Sequence, residues 1–296
     1  MFNRQTIGRP VSIDGHGLHS GARVHLRLVP AEAGCGVVFV RTDADRAEIP
    51  AILAYAGPSQ YATTLERQGL GVSTIEHLMA ALSALLVDDV RIELDGPEVP
   101  ILDGSSRPFV DAILAAGRRE LEEPRQYITL VRPVTVVHED KRIAAYPCRE
   151  YRVTYALEFD HPALGYQELS ASLWSEESFV AKLAPARTFT FARDVEALRR
   201  RGLALGGSLE NAVVLAEDGV LNPDLRFPDE FVRHKMLDLT GDLSLLGHPV
   251  RAHVVAYRAG HDLHARLARA IWDDSEAWYL APWSEESPNL ERAARA

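Results

Sequence analysis

Residues 73–87 read STIEHLMAALSALLV, with apolar side chains at Ile75, Leu78, Met79, Leu82, Leu85 and Leu86. Intervals of three and four residues put these on one helical face, so the spacing predicts an amphipathic to largely buried helix. Before it, VHLRLV at Val24–Val29 alternates, and GVVFVR at Gly36–Arg41 is a β-branched run between turn signals; both predict strands. After it come a predicted strand, Val90–Leu94, and the turn-rich DGPEVPILDGSSRPF. A second predicted helix, Phe109–Ala116, is closed by Gly117.

The same order then returns. Charge and proline cluster in RRELEEPR, Arg118–Arg125, which reads as a linker. Beyond it, strands are predicted at Ile128–Val131, Val134–Val137, Ile143–Tyr146 and Arg152–Phe159. A long helix follows at Asp229–Leu246, then a strand at Val250–Tyr257 and a helix at His261–Trp272. Each half reads strands, long helix, strand, helix, which predicts an α+β fold of two similar domains, residues 1–122 and 126–275. Between the second half's strands and its long helix lies Phe179–Leu225, with mixed signals: a short charged helix at Val195–Gly202, a Gly206-Gly207 turn and a strand at Asn211–Leu215. An insertion of this length suits a lid or a substrate channel. Residues 276–296 read as a polar tail.

Composition narrows the class. The 296 residues are 47% hydrophobic and 25% charged, with two cysteines, which excludes collagen-like, disordered and disulfide-stapled chains. Forty-two acidic against 32 basic residues give a net charge of −10, which opposes nonspecific binding to nucleic acid. Cys35 and Cys148 suit reduced thiols. Met1–Pro10 lacks the apolar stretch of a signal peptide. The longest apolar run, Leu78–Val87, is far short of the ~20 residues of a membrane span. A cytoplasmic protein is expected, with peripheral membrane contact left open.

Three clusters could carry chemistry. In the long second-half helix, His234, Asp238 and Asp242 recur every four residues, so one stripe holds an imidazole and two carboxylates. Such a stripe is either a solvated face, with the carboxylates paired to Lys235 and Arg233, or a buried set held by partners or a divalent cation. In the first helix, Ser73-Thr74-Ile75-Glu76 fits a capping box, in which Glu76 only satisfies a backbone amide. Its neighbour His77 is an imidazole in apolar surroundings: either a hydrogen-bonded core residue or a third ligand that completes an open catalytic zinc site beside Glu76 as base. Third, His261 follows Gly260 at a strand-to-helix turn, where it could act as a general acid or as a ligand jointly with His264. His16-Gly17-Leu18-His19 reads as a turn. No phosphate-cradling glycine loop and no G-x-S-x-G elbow is present, so nucleotide hydrolysis and serine esterase chemistry lack residue support.

Taken together, GLHSG (Gly17–Gly21), VSTIEHLMAAL (Val72–Leu82), LDGPEVPILDGSSRPF (Leu94–Phe109), ARTF (Ala186–Phe189), LRFPDEFVRHKMLDLTGDL (Leu225–Leu243) and Gly260-His261 resemble the UDP-3-O-acyl-N-acetylglucosamine deacetylases, zinc enzymes of the committed step of lipid A synthesis. The matching segments run in order along nearly the whole chain. The resemblance implies two α+β domains whose helices pack together between the two sheets, each domain with an insert, the second (about residues 191–221) forming an acyl-chain passage. It implies one Zn2+, or Fe2+ in the cell, held by His77, His234 and Asp238 with the fourth position open. Glu76 would be the general base, His261 the cationic acid oriented by Asp242, and Thr188 an oxyanion donor, with Lys235 near the substrate's charged groups. Phe159 would stack on uracil with Phe189 beside the substrate, and Lys141 and Arg258 would contact the diphosphate. The implied partner is a UDP-linked acylated amino sugar; no nucleic acid is expected, and a monomer is. Where the family usually reads GHALN, this chain reads Gly260-His261-Asp262-Leu263-His264, and Asp262 could raise the pKa of His261.

Overall fold

The computed structural model describes residues 2–58 and 61–283. Its first half comprises β1 (Asn3–Ile7), β2 (Val11–His16), β3 (Arg23–Pro30), β4 (Val37–Arg41), β5 (Ala47–Pro50), β6 (Thr64–Arg67) and β7 (Leu70–Ser73). Helix α1 (Glu76–Ala84), β8 (Val90–Leu94), α2 (Arg107–Ala116) and β9 (Arg118–Pro124) follow. Five strands form one sheet in the order β2-β3-β8-β4-β5, parallel only at β4–β8. Strand β3 shows why: its residues alternate exposed and buried, and Val24, Leu26 and Leu28 all face the core.

The second half comprises β10 (Gln126–Leu130), β11 (Val134–His138), β12 (Lys141–Pro147), β13 (Arg152–Glu158), β14 (Tyr166–Ser172), α3 (Glu176–Lys182), β15 (Phe189–Phe191), α4 (Ala192–Arg200) and β16 (Val213–Leu215). It ends with α5 (Glu230–Leu243), β17 (Val250–Tyr257), α6 (His261–Asp273) and β18 (Trp278–Pro282). A seven-stranded sheet runs β11-β12-β17-β10-β18, with β13 and β14 joined on through β17. The fold is α+β. Helix α1 packs on α5, and α5 packs on α6 and on β13 and β14.

Two stretches differ from their sequence reading. The charged RRELEEP segment is not a free linker: it is β9, antiparallel to β1, with Leu121 alone turned inward, and Arg125 beyond it is buried on the carboxylate of Asp88. The expected polar tail begins with β18, which extends the large sheet antiparallel to β10; the rest of that tail, residues 284–296, lies outside the described residues. Among the described residues, no helix is long and apolar enough to cross a membrane.

The contact between α1 and α5 is a backbone contact. A Cβ at Gly241 would stand 2.1 Å from the carbonyl oxygen of Glu76. No side chain fits there, so the two helices approach as closely as their main chains allow. Gly241→Ala is expected to force them apart, costing about 1–3 kcal/mol as an overpacked core substitution does. Denaturant unfolding measures the loss, and a metal titration should show weakened affinity in the same variant, because the displaced helices each carry residues of the cluster described next.

Candidate metal and catalytic site

Helix α1 does not begin with a capping box. Thr74 has a left-handed backbone (φ 57°), and its hydroxyl donates to Glu98 while that of Ser73 donates to the carbonyl of Pro97. The Glu76 carboxylate instead accepts the backbone N–H of Thr63 at 3.0 Å. It is 4% exposed, and burial pushes its pKa upward against the pull of His261 and His77. His77, one residue on, projects toward α5.

On α5 the His234/Asp238/Asp242 stripe is buried, not solvated. Arg233 pairs with Asp229 instead of either stripe carboxylate, while Lys235 Nζ lies 2.8 Å from Asp238 Oδ2. His77 Nε2 is 3.7 Å, and His234 Nε2 3.2 Å, from Asp238 Oδ1. Ligands at zinc distances of ~2.0–2.1 Å, set at tetrahedral corners, lie about 3.3 Å apart. Asp238 Oδ1 is buried without a hydrogen-bond partner, which is costly unless a cation sits there. His234 Nδ1 donates to the carbonyl of Ala186 at 3.1 Å, fixing the tautomer that leaves Nε2 free to coordinate. Two imidazoles and one carboxylate, with donor atoms all within 4.8 Å of one another, fit a divalent cation such as zinc.

His261, the first residue of α6, places Nδ1 2.8 Å from Asp242 Oδ2 and Nε2 3.7 Å from Asp238 Oδ2. Burial opposes its charge, but the carboxylates of Asp242 and Asp238 outweigh it and raise its pKa to about 9. Asp242 shows the converse: burial alone would raise its pKa, yet His261 and His264 hold it down at about 2. Asp262 takes no part in this, since it pairs at the surface with Arg266. His261 and His264 both bring Nδ1 to the same oxygen of Asp242, and with it they form a second set of donor atoms within 4.8 Å of one another.

Glu76, His77, His234, Lys235, Asp238 and His261 face a common cavity of about 240 Å³, with Thr188 and Phe189 on its wall. The GLHSG turn supplies Leu18. Glu98 pins that turn by accepting the backbone N–H groups of His19 and Ser20. Phe159, Lys141 and Arg258 lie outside this cavity at one end of the large sheet, after β13, at the start of β12 and after β17. Phe159 is half-exposed but continuous with the cavity, since its ring meets Phe189, whose ring meets His234. Arg258 is engaged by Asp140. A larger apolar cavity of about 640 Å³, lined by Met79, Leu82, Thr240 and Leu243, holds none of these residues. No sequence pattern points to Thr63, which holds Glu76 by its amide and donates its hydroxyl to Asp242.

Fold and donor set together define an α+β protein with a buried site suited to a metal-dependent hydrolase. The family model described as "UDP-3-O-acyl N-acetylglycosamine deacetylase" (LpxC) matches residues 4–273. A protein of Myxococcus xanthus named UDP-3-O-acyl-N-acetylglucosamine deacetylase is 48% identical over 95% of this chain and 90% of its own. Proteins of the same name from Syntrophotalea carbinolica and Pseudomonas entomophila are 47% and 43% identical, over 96% and 97% of this chain and 93% and 96% of theirs. The chain belongs to the UDP-3-O-acyl-N-acetylglucosamine deacetylase family.

Proposed function

We propose that this chain hydrolyses the acetamide of UDP-3-O-(3-hydroxyacyl)-N-acetylglucosamine to acetate and the free amine, in the cytoplasm, as a step of lipid A synthesis. The observation that carries the reading is the buried His77, His234 and Asp238 cluster with Glu76 and His261 beside it in one cavity. Those three residues would hold zinc, which polarises an amide carbonyl and acidifies water. Glu76, desolvated and held by Thr63, accepts the proton of the attacking water. Cationic His261 and the hydroxyl of Thr188 face the oxyanion in surroundings where such charges count for more than in bulk water. His261 then gives its proton to the departing sugar nitrogen, and Asp242 keeps the ring aimed.

The sugar nucleotide would extend past Phe189 toward Phe159, with Lys141 and Arg258 at the diphosphate. Residues 191–221 would guide the acyl chain. In support, Leu205, Leu209 and Leu221 are exposed there, and Gly206 lies so close to Gly17 that its Cβ would meet the Gly17 carbonyl oxygen at 2.2 Å, which seats the insert against the turn that carries Leu18.

Acetate release from the zinc-loaded protein tests the reading. The acylated substrate is expected to react far faster than UDP-N-acetylglucosamine itself, with loss on chelation and recovery with zinc. No acetate from the acylated substrate, or equal rates on both, would overturn it. Reconstitution with ferrous iron in the same assay ranks the two metals.

A further inference from the structure

His264 stands one helical turn after His261 on α6 and is wholly buried. Its Nδ1 lies 2.7 Å from Asp242 Oδ2, the oxygen that also meets His261 Nδ1 at 2.8 Å. Its Nε2 lies 3.0 Å from the hydroxyl of Tyr155, on β13. We propose that His264, with Tyr155 behind it, is a positioning residue that locks the Asp242 carboxylate in the orientation that aims His261 into the cavity. The inference rests on the roles given above to His261 and Asp242.

The proton positions follow from the surroundings. Tyr155 is fully buried and its pKa stands well above the ordinary value, through burial and the neighbouring Asp238 and Asp242, so the hydroxyl keeps its proton and donates. Burial also lowers the pKa of His264, keeping the ring neutral with one proton to place. With Nε2 accepting from Tyr155, that proton sits on Nδ1 and is donated to Asp242. A carboxylate's terminal torsion is broad, so little within Asp242 itself fixes its plane. Thr63 holds Oδ1, and His264 and His261 both hold Oδ2. With His264 gone, a buried oxygen would lose one of its two donors, and the plane that sets the His261 ring would be free to turn. Asparagine, the residue the family's GHALN pattern puts at this position, keeps a donor for Asp242 but has no ring nitrogen to meet Tyr155.

Steady-state deacetylation and metal content should be measured for the parent, His264→Ala, His264→Asn and Tyr155→Phe. His264→Ala is expected to lose about tenfold or more in kcat, as removal of an outer hydrogen-bonding partner does, with KM and bound metal unchanged. His264→Asn should recover most of that loss. Nitrogen-15 NMR of the parent should show His264 protonated at Nδ1 and bare at Nε2, and Tyr155→Phe should disturb that tautomer even if His264→Ala fails to fold. Parent-like kcat in His264→Ala, or a parent ring carrying its proton on Nε2, overturns the inference. A parent that releases no acetate refutes the proposed activity instead, while the NMR signature still decides the arrangement around Asp242.

Discussion

The Glu76→Gln protein is expected to bind its divalent cation as the parent does while losing about 10²- to 10⁴-fold in kcat, the usual worth of a general base. His234→Ala, by contrast, should come off a desalting column without metal. The division follows from geometry. Glu76 stands outside the trio of donor atoms, and its carboxylate is occupied by the Thr63 amide. Glutamine still offers that amide an oxygen, so the local structure survives while the proton acceptor does not. His234 presents Nε2 directly to Asp238 Oδ1, and its loss removes one of the three proposed ligands. Metal analysis beside turnover measures both effects. Equal metal loss in the two variants would end the separation of base from ligand.

The second large effect is on pH dependence. In the proposed mechanism His261 is the acid, so it must be protonated; with its pKa raised to about 9, activity should hold through neutrality and fall as pH rises through that value. Glu76 is the proposed base, so it must be ionised; burial raises its pKa, and activity should fall as pH drops through that raised value. The profile of kcat/KM is therefore bell-shaped. His261→Gln should abolish the alkaline limb along with most of the rate. Asp242→Asn removes the largest influence favouring the imidazolium, so it should move that limb to lower pH. An alkaline limb unchanged in both variants would strip His261 of the acid role.

The long helices were legible because their apolar residues recur at intervals of three and four, and Val250–Tyr257 because it alternates. Strand β9 was not legible: with only Leu121 buried among arginines and glutamates, it carries no apolar alternation, and its pairing with β1 depends on residues more than a hundred positions away. Strand β18 was missed because it is short and none of its five residues is buried. Among the candidate site residues, the spacing of His234, Asp238 and Asp242 declared a stripe but not its depth. Burial of that stripe depends on α1 lying against α5, which no local pattern encodes. Thr63 and Tyr155 belong to Asp242 and His264 across 179 and 109 positions, and hydroxyl and amide contacts at such separations leave no periodic trace.

The main-chain contact at Gly241 also bears on how the chain matures. His77 reaches the cluster from one half, and His234 and Asp238 from the other, so neither half alone carries the full set of proposed ligands. A cation bound by that set would hold only docked chains, and by mass action it would favour them over partly assembled ones. Starved of metal, newly made chains would be both inert and the first to be lost to proteolysis.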